Sequence, residues 1–554
     1  MSELARKAHW PPFYIYLQSV VIALVVWYLM RGYYVDDAYI SLRYARNLLD
    51  GYGMTWNPGE RVEGYTNFLF IVLEAALGRL GIDLVLASRI LSFAGFFGVV
   101  AIVGAYVRAF SRAPRPYAES VNVALCVGLV LSSIPLLAWC MGGLEGNLYA
   151  FFLTAGVSLT LGLLQGRSGR ARAVLLGLSF ALAALTRPDG VIFCIFTLAF
   201  LGGLWLWPSS RSRIRLADVV IAGATFAMVF LPYTAWRIWY FGDFFPNTYY
   251  AKVYGIDRGI LLIRGIFYLF QYAFMPPLLI FFALGATVLA RRLTLSLLYL
   301  LAFALLYMVY IASVGGDYMA LGTFRFLAPL VPILALVIYH AGLALIERRE
   351  KWFRDLCGCL VFFSIFQLGT IESHPGQTVG SISGMAVKDY IAAHWAPGSL
   401  IALNPVGALP YYDSNYRYLD MLGLLDKHIS HRKITVLPPS LEAFPVAHIK
   451  GDGNYVLSAR PDYIIFGHGW GSSAPLFLSD VEIAENPEFK KLYHKVEIYI
   501  DPPPRLLPAL QEEYHTRMEQ AKAKGIAPSA NTIVLDAQNR LRFIYYRRVD
   551  IIEK

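Results

Sequence analysis

Two adjacent aspartates, Asp36 and Asp37, follow the first apolar segment of the 554-residue chain and open a helix-like stretch over residues 38–49. A carboxylate in this position can take a proton from an attacking hydroxyl, hold sugar hydroxyls or bind a divalent metal ion. Adjacent residues on a helix diverge by about 100°, so we expect one acid to face a reaction and the other to brace the helix. Aspartates also begin helices for capping and dipole reasons alone, and this structural alternative stays open.

Short polar turns between the later apolar segments bring further carboxylates and cations into the chain, at residues 142–147, 186–190, 240–252 and 315–319. A cation neutralises a phosphate leaving group, whereas a carboxylate binds sugar hydroxyls or accepts a proton. Chemistry on a sugar attached to a lipid phosphate uses both kinds of group. The acids are Asp36, Asp37, Glu63, Glu145, Asp189 and Asp317, and the cations are Arg187, Arg237, Lys252 and Arg325.

Membrane helices are the elements expected to carry these residues. Hydrophobic residues make up 57% of the chain and charged residues 16%, against about 25% charged residues in soluble proteins. This composition excludes a disordered chain, a coiled coil and a purely soluble enzyme. Apolar segments of roughly 17–25 residues can cross a bilayer. They predict eleven spans, at about residues 11–30, 84–106, 119–139, 145–164, 171–187, 190–207, 216–238, 268–290, 293–313, 325–346 and 354–371.

Loop charge sets the orientation of these spans. Segment 66–81 carries Glu74 and Arg79, so it suits an interfacial helix better than a span. With that segment excluded, every second loop is rich in arginine and lysine, which places those loops in the cytoplasm. We predict a multi-pass protein of the bacterial cytoplasmic (inner) membrane, with a cytoplasmic N-terminus and all the polar turns outside. The net charge of +10 then reflects topology, and no nucleic-acid partner is expected.

The chain divides into two predicted domains. Residues 1–371 form a polytopic α-helical membrane domain with a long first outer loop at 31–83, and residues 372–554 form a soluble extracytoplasmic α/β domain. In the second domain, a helical pattern at 506–524 lies among strand-like runs. These runs are residues 400–403, 463–466, 496–500 and 541–545.

Each candidate residue also has a purely structural interpretation. Arg187 can be a snorkelling anchor, Glu145 a helix cap, and Asp317 with Arg325 an ion pair between helix ends. Tyr249 is one of many tyrosines, which are common in aromatic belts at membrane surfaces. The predicted location of all these residues on one side of the membrane is what favours a shared site.

The ordered motifs resemble a known family. They are similar to the arabinofuranosyltransferase B (AftB-like) group of the C-type (GT-C) polyprenyl-phosphate-dependent glycosyltransferases. The resemblance covers about residues 30–470. Its motifs are residues 36–40, 43–45, 57–60, 62–66, 143–145, 186–190, 242–252, 315–319, 420–428, 451–453 and 460–463.

The resemblance implies a donor such as decaprenyl-phosphoryl arabinofuranose or another polyprenyl-phosphoryl sugar, and an extracytoplasmic glycan or protein acceptor. Asp36 and Asp37 would be the catalytic acids, with Asp36 favoured because related families most often use the first acid of the pair. A divalent cation (Mg2+, Mn2+ or Ca2+) at Asp36 is compatible with this chemistry but not required by it.

The resemblance also implies roles for the remaining candidates. The donor phosphate would be bound by Arg187, Lys252 and Arg325. The sugar or acceptor would be bound by Glu63, Tyr65, Glu145, Asp189, Asn247, Tyr249, Asp317, Asp426 and His428.

Three other functions stay open at this point. A transporter or flippase for lipid-linked glycans would also need a polar cavity, although it predicts charged residues at mid-span depth. A GT-C enzyme that uses another sugar, as in lipid A or pilin modification, differs only in donor and acceptor. In a binding or structural scaffold, the external domain would act alone. That domain's Tyr411, Tyr412 and Trp470 are candidates for stacking on sugar rings, and its segment 420–428 can equally be a strand followed by a helix cap.

Overall fold

The computed structural model describes residues 13–110, 116–207, 214–274, 279–289, 293–317, 323–341, 358, 379–434, 448–525, 528–529 and 532–553. Most of the first part of the chain is helical. Its helices are α1 (Phe13–Leu29), α2 (Asp36–Leu49), α3 (Phe68–Arg79), α4 (Leu84–Phe110), α5 (Pro116–Leu131), α6 (Ile134–Ala138), α7 (Gly146–Leu164), α8 (Arg170–Thr186), α9 (Gly190–Leu206), α10 (Leu216–Phe241), α11 (Asn247–Lys252), α12 (Arg258–Ala273), α13 (Leu279–Leu289), α14 (Leu295–Ser313) and α15 (Leu330–Ala341).

Several of these helices suit a bilayer. Four of them, α4, α7, α10 and α14, are long and apolar enough to cross a membrane, and shorter apolar stretches lie in α1, α5, α9, α13 and α15. The protein is therefore an integral membrane protein with several spans. Helices occupy each of the first ten apolar segments used in the topology prediction, and segment 354–371 lies outside the described residues except for position 358.

Some predicted spans cover more than one helix in the structure. Segment 119–139 includes parts of α5 and all of α6, and in segment 268–290 α12 ends at Ala273 and α13 begins at Leu279. Pro276 and Pro277 lie between the two helices in the sequence. A proline lacks the N–H that the helix ladder needs and clashes with the preceding turn, so this pair disfavours a continuous helix.

The C-terminal part contains a mixed five-stranded sheet with the order β2-β1-β3-β5-β4. Strands β1, β2 and β3 run parallel to one another, whereas β5 is antiparallel to both β3 and β4. The strands are β1 (Leu400–Leu403), β2 (Arg417–Asp420), β3 (Tyr463–Ile464), β4 (Tyr493–Ile500) and β5 (Leu541–Arg548). The helices are α16 (Val379–His394), α17 (Ala408–Tyr412), α18 (Lys427–His431), α19 (Gly453–Ser458), α20 (Leu478–Glu485), α21 (Pro487–Leu492) and α22 (Leu507–Ala523).

This sheet agrees with the sequence pattern except at β2. The four strand-like runs correspond to β1, β3, β4 and β5, and the predicted helix at 506–524 corresponds to α22. Strand β2 has four residues and begins with an exposed arginine, so it lacks the continuous apolar run by which β1 was recognised. Its position beside β1 is fixed by parallel pairing from Leu400–Arg417 to Leu403–Asp420.

The sheet domain is held against the loop that follows α1. The buried Arg43 of α2 donates from Nε to the carbonyl oxygen of Trp56 at 2.7 Å and from Nη1 to that of Pro410. Its guanidinium carbon lies 4.8 Å from the Trp56 ring centroid and 5.1 Å from that of Tyr418. The side chain of Asn57 donates to the Tyr418 carbonyl oxygen at 2.8 Å. Because a buried guanidinium is stable only when its donors are satisfied, these contacts fix the two parts at close range.

Candidate active site

A cavity of about 1330 Å³ lies between the helices of the membrane part and the sheet domain. Two groups of residues define its sides. The membrane-side wall consists of Asp36, Asp37, Glu145, Arg187, Asp189, Lys252, Asp317 and Arg325. The sheet-domain wall consists of Asn404, Asp420, His448, His468, Trp470 and Phe477, with Glu513, Arg517 and Lys524 of α22 beside them.

Asp36 is the first residue of α2 and connects that helix to the sheet domain. Its Oδ2 accepts a hydrogen bond from the Gly407 N–H at 3.0 Å, and its Oδ1 accepts one from the Ala408 N–H at 2.9 Å. The approach is so close that a Cβ on Gly407 would lie 2.0 Å from the Asp36 carbonyl oxygen. Burial raises the pKa of Asp36 to about 6, although the Ala408 N–H acts in the opposite direction.

Asp37 has a different environment. Its Oδ2 lies 3.7 Å from Nζ of Lys252, and each of these side chains is about 30% exposed. Both line the cavity. A pair that is this open to solvent is weak, so either partner can exchange the other for a ligand at small cost.

Arg187 is the most heavily paired cation of the membrane-side wall. Its Nη1 donates to Oε1 of Glu145 at 3.0 Å and its Nε to Oδ1 of Asp189 at 3.1 Å. Asp189 also accepts a hydrogen bond from the Tyr149 hydroxyl at 2.7 Å, and the Arg187 guanidinium lies 4.7 Å from the Phe326 ring centroid. These buried contacts orient the guanidinium before any ligand arrives.

The third cation, Arg325, is also held by an acid. Its Nε lies 2.8 Å from Oδ2 of Asp317, and both side chains are about nine-tenths buried. The ion-pair alternative for these two residues is therefore present, yet both still line the cavity. Lys252, Arg187 and Arg325 consequently each have a carboxylate within salt-bridge distance.

Ten of the fourteen candidate residues taken from the sequence line this cavity. They come from turns that are far apart in the chain and that meet at one end of the helices. They are Asp36, Asp37, Tyr65, Glu145, Arg187, Asp189, Tyr249, Lys252, Asp317 and Arg325.

Glu63 and Asn247 do not line the cavity and instead hold loops together. Oε2 of Glu63 accepts from Arg237 at 2.5 Å, and its backbone carbonyl accepts from the Asn247 N–H at 2.9 Å. The Asn247 side chain donates to the carbonyl oxygens of Gly423 and Leu424. Burial raises the pKa of Glu63 to about 7, against the lowering effect of Arg237.

Asp426 and His428 also lie away from the cavity lining. Asp426 caps α18, because its Oδ1 accepts from the Ile429 N–H at 2.9 Å. The exposed His428 ring contacts Asp452 at 3.0 Å and stacks on Tyr455 with ring centroids 4.1 Å apart. Strand β2 followed by this cap is the structural alternative that the sequence allowed for segment 420–428.

The sheet-domain wall contains residues that no motif identified. Asn404, His448 and His468 belong to loops without a recognisable signature, whereas Trp470 was already a candidate for sugar stacking. The one available signal is position, since Asn404 directly follows the predicted strand β1. Tyr411, the other buried aromatic candidate, contacts Tyr39 with ring centroids 5.4 Å apart.

No group of three or more histidines, cysteines, aspartates or glutamates is arranged to hold a metal ion within the described part of the chain. At Asp36, where the sequence allowed a divalent cation, both carboxylate oxygens accept backbone N–H groups. The contacts of Asp36 are thus those of a residue that positions a loop.

A model of a domain of unknown function (DUF8728) matches residues 372–519. The chain is 28% identical over 283 residues to a terminal β-(1→2)-arabinofuranosyltransferase of Mycobacterium tuberculosis, covering 47% of this chain and 42% of that protein. It is 24% identical over 398 residues to a terminal β-(1→2)-arabinofuranosyltransferase of Corynebacterium glutamicum, covering 63% of this chain and 54% of that protein. It therefore spans about half the length of the curated relatives it matches.

Two solved structures share the architecture over almost the whole chain. ArnT of Cupriavidus metallidurans in the apo state has a TM-score of 0.53 at 12% identity, covering 96% of this chain and 97% of that one. The oligosaccharyltransferase of Archaeoglobus fulgidus has a TM-score of 0.57 at 12% identity, covering 96% and 88%. Both are GT-C enzymes, so this chain has the GT-C fold, and in sequence it is distantly similar to the terminal β-(1→2)-arabinofuranosyltransferases.

Proposed function

We propose that this protein is a membrane glycosyltransferase that moves arabinofuranose from a polyprenyl-phosphate donor to an extracytoplasmic glycan acceptor. The observation that carries the proposal is the cavity at the ends of the membrane helices, where Lys252, Arg187 and Arg325 form ion pairs with four of the lining carboxylates. An apolar carrier can remain among the helices while its phosphate reaches these cations. The names of the curated relatives support arabinofuranose as the sugar, and a matched ArnT structure contains undecaprenyl phosphate.

In the proposed reaction the acceptor oxygen bonds to the anomeric carbon while the bond from that carbon to the phosphate oxygen breaks. The proton of the acceptor hydroxyl passes to Asp37, and the lipid phosphate leaves with an added negative charge. Lys252 is the cation nearest to Asp37, at 3.7 Å. A cation fixed beside the phosphate stabilises the charge that develops there, and Arg187 and Arg325 complete that environment.

The contacts support different roles for the two adjacent acids. Asp36 uses both carboxylate oxygens to accept N–H groups from Gly407 and Ala408. The carboxylate of Asp37 is about 30% exposed, and among the described residues its ion-pair partner is Lys252. We therefore assign the proton transfer to Asp37 and treat Asp36 as a positioning residue, which reverses the preference taken from the sequence.

A transfer assay in detergent tests the proposal. Purified protein is incubated with radiolabelled decaprenyl-phosphoryl arabinofuranose and a neutral arabinofuranosyl tetrasaccharide, and the labelled pentasaccharide is separated by chromatography. We expect product with this donor and at least tenfold less with a decaprenyl-phosphoryl hexose. Absence of product, together with movement of the intact donor across proteoliposome membranes, would favour the flippase alternative and contradict the proposal.

A further inference from the structure

Three parallel strands of the sheet domain end at the cavity. Asn404 directly follows β1, Asp420 is the last residue of β2, and His468 lies four residues after β3. All three line the cavity. In open sheets that contain parallel strands, ligands bind outside the carboxyl ends of those strands, because the loops there converge and the sheet holds them rigidly.

Asn404 has a buried acceptor atom without a partner. The residue is 1% exposed, and its Nδ2 donates to Oδ1 of Asp480 at 3.0 Å. Asp480 is fixed in turn by N–H groups of Gly467 and Phe477. Oδ1 of Asn404 has no hydrogen-bond partner among the described residues. An unsatisfied buried acceptor is costly, so a hydroxyl donor that reaches it is favoured.

Two uncharged imidazoles lie on the same wall. Burial lowers the pKa of His468 to about 4, with further lowering by Arg517 and His448, and burial also lowers the pKa of His448. A neutral imidazole offers one donor and one acceptor, as a sugar hydroxyl requires. The Trp470 ring lies beside them, with its centroid 5.8 Å from that of His468, and adds an apolar face.

The imidazole of His448 also connects this wall to the candidate reaction centre. The charges of Lys252, Asp37 and Asp317 all act on its ring. Because His448 and Asp37 line the same cavity, a molecule bound along the strand ends shares that cavity with Asp37.

We infer that the strand ends form an acceptor subsite for an uncharged, hydroxyl-rich oligosaccharide, built from Asn404, His448, His468 and Trp470. The inference deepens the proposed function, because it assigns the acceptor to the sheet-domain wall and leaves the donor phosphate to the membrane-side wall. The four subsite residues are uncharged at neutral pH, and the cations Arg517 and Lys524 of α22 line the cavity beside them.

Binding of the two substrates can be measured separately on the full-length protein in detergent. The probes are a neutral arabinofuranosyl tetrasaccharide, followed by saturation-transfer NMR, and decaprenyl phosphate, followed by its effect on the melting temperature. We expect Trp470→Phe and His468→Gln each to weaken tetrasaccharide binding at least tenfold and to change the decaprenyl phosphate affinity less than twofold. His515→Gln, at an exposed position on α22, is the matched control and should change neither affinity.

The outcomes separate this inference from the proposed function. Unchanged tetrasaccharide affinity in both folded variants would overturn the subsite, whether or not the wild type transfers sugar. Tighter binding of a sulfated oligosaccharide than of the neutral one would also overturn it. If the wild type forms no product but binds the tetrasaccharide in a way that both variants weaken, the subsite stands and the transferase proposal fails.

Discussion

The two walls of the cavity differ in the charge of the side chains that line them. On the membrane-side wall Lys252, Arg187 and Arg325 each have a carboxylate partner, as in Arg187 with Glu145 and Arg325 with Asp317. On the sheet-domain wall the strand ends carry uncharged imidazoles such as His468 and the amide oxygen of Asn404, which has no hydrogen-bond partner among the described residues. The difference matches the two substrates of a glycosyl transfer from a lipid phosphate, since one is anionic at its reacting end and the other is a neutral alcohol.

The ion pairs on the membrane-side wall also stabilise its buried cations. Unpaired buried cations would be costly to desolvate, and carboxylate partners such as Asp189 keep Arg187 charged and oriented. The pair formed by Asp37 and Lys252 is the exception, because it is more exposed and more widely separated. The most adaptable pair therefore lies where the reaction is proposed to occur.

Removal of the Asp37 carboxylate should have the largest effect of any single change. We expect Asp37→Asn to lower kcat about 1,000-fold, because a positioned general base contributes roughly 10²–10⁴-fold, while decaprenyl phosphate still binds. Asp50→Asn, at an exposed position just after α2, is the matched control in the same transfer assay. Retention of more than a tenth of wild-type kcat by Asp37→Asn would break the assignment.

Neutralisation of Arg187 should impair lipid-phosphate binding at the membrane-side wall and leave acceptor binding unchanged. Arg187→Gln leaves Glu145 and Asp189 buried without their cation, so we expect a loss of about 3–5 kcal/mol in stability and roughly 100-fold weaker decaprenyl phosphate binding. Thermal unfolding and lipid-phosphate titration in detergent measure the two effects. Arg187→Lys should recover part of both, and tetrasaccharide affinity should remain that of the wild type in any folded fraction. Equal weakening of the two substrates would remove the distinction between the walls.

A methyl group at Gly407 should move the sheet-domain wall away from the membrane-side wall without changing any charged residue. A Cβ there would lie 2.0 Å from the Asp36 carbonyl oxygen and 2.6 Å from its Cγ. We expect Gly407→Ala to lower kcat/KM about tenfold or more for both substrates, because the strand ends move away from α2. Gly203→Ala, where the added Cβ meets no atom within 4 Å, should retain wild-type kcat/KM. Loss for the donor alone would indicate that the sheet domain does not position the acceptor.

The smallest effect concerns pH and the neutrality of the sheet-domain wall. Burial raises the pKa of Asp420 to about 7, against N–H groups of Leu425 and Leu422 that lower it. The folded protein thus favours the protonated acid, and this contribution to stability is lost as the pH rises through about 7. Between pH 6 and pH 8 the loss for this group is about 1.4 kcal/mol.

Melting temperatures in detergent at pH 6 and pH 8 measure this loss. The wild type should melt lower at pH 8, and Asp420→Asn should reduce the difference. Glu63, whose pKa burial raises to about 7, titrates in the same direction and supplies a remaining slope. An unchanged difference in Asp420→Asn would show that this carboxyl keeps its charge in the folded wall.

The sequence was most informative about the membrane-side wall. Turns that end membrane helices on one side must meet in space, so Asp37, Arg187 and Asp317 could be grouped without a structure. The partners of Asp36 could not be foreseen, because Gly407 and Ala408 lie about 370 residues further along the chain. Only that contact distinguishes the roles of the two adjacent acids.

Most residues of the sheet-domain wall could not be predicted from the sequence. Its residues follow short strands, and a strand end becomes a site only when parallel pairing aligns it with its neighbours. Strand β2 has a charged residue at each end and no apolar run, so the sequence did not predict it, and the convergence at Asn404 and His468 could not be inferred. Glu63 and Asn247 were predicted to bind the sugar or acceptor because they lie in strong motifs. In the structure these motifs hold loops together.

A cryo-electron-microscopy map of the Asp37→Asn protein with decaprenyl-phosphoryl arabinofuranose and the neutral tetrasaccharide tests the division of the cavity most directly. The account predicts phosphate density about 3 Å from Nζ of Lys252, the distance of a charge-assisted hydrogen bond, and oligosaccharide density against Asn404 and Trp470. Phosphate density at the strand ends, or oligosaccharide density confined to another surface, would contradict it.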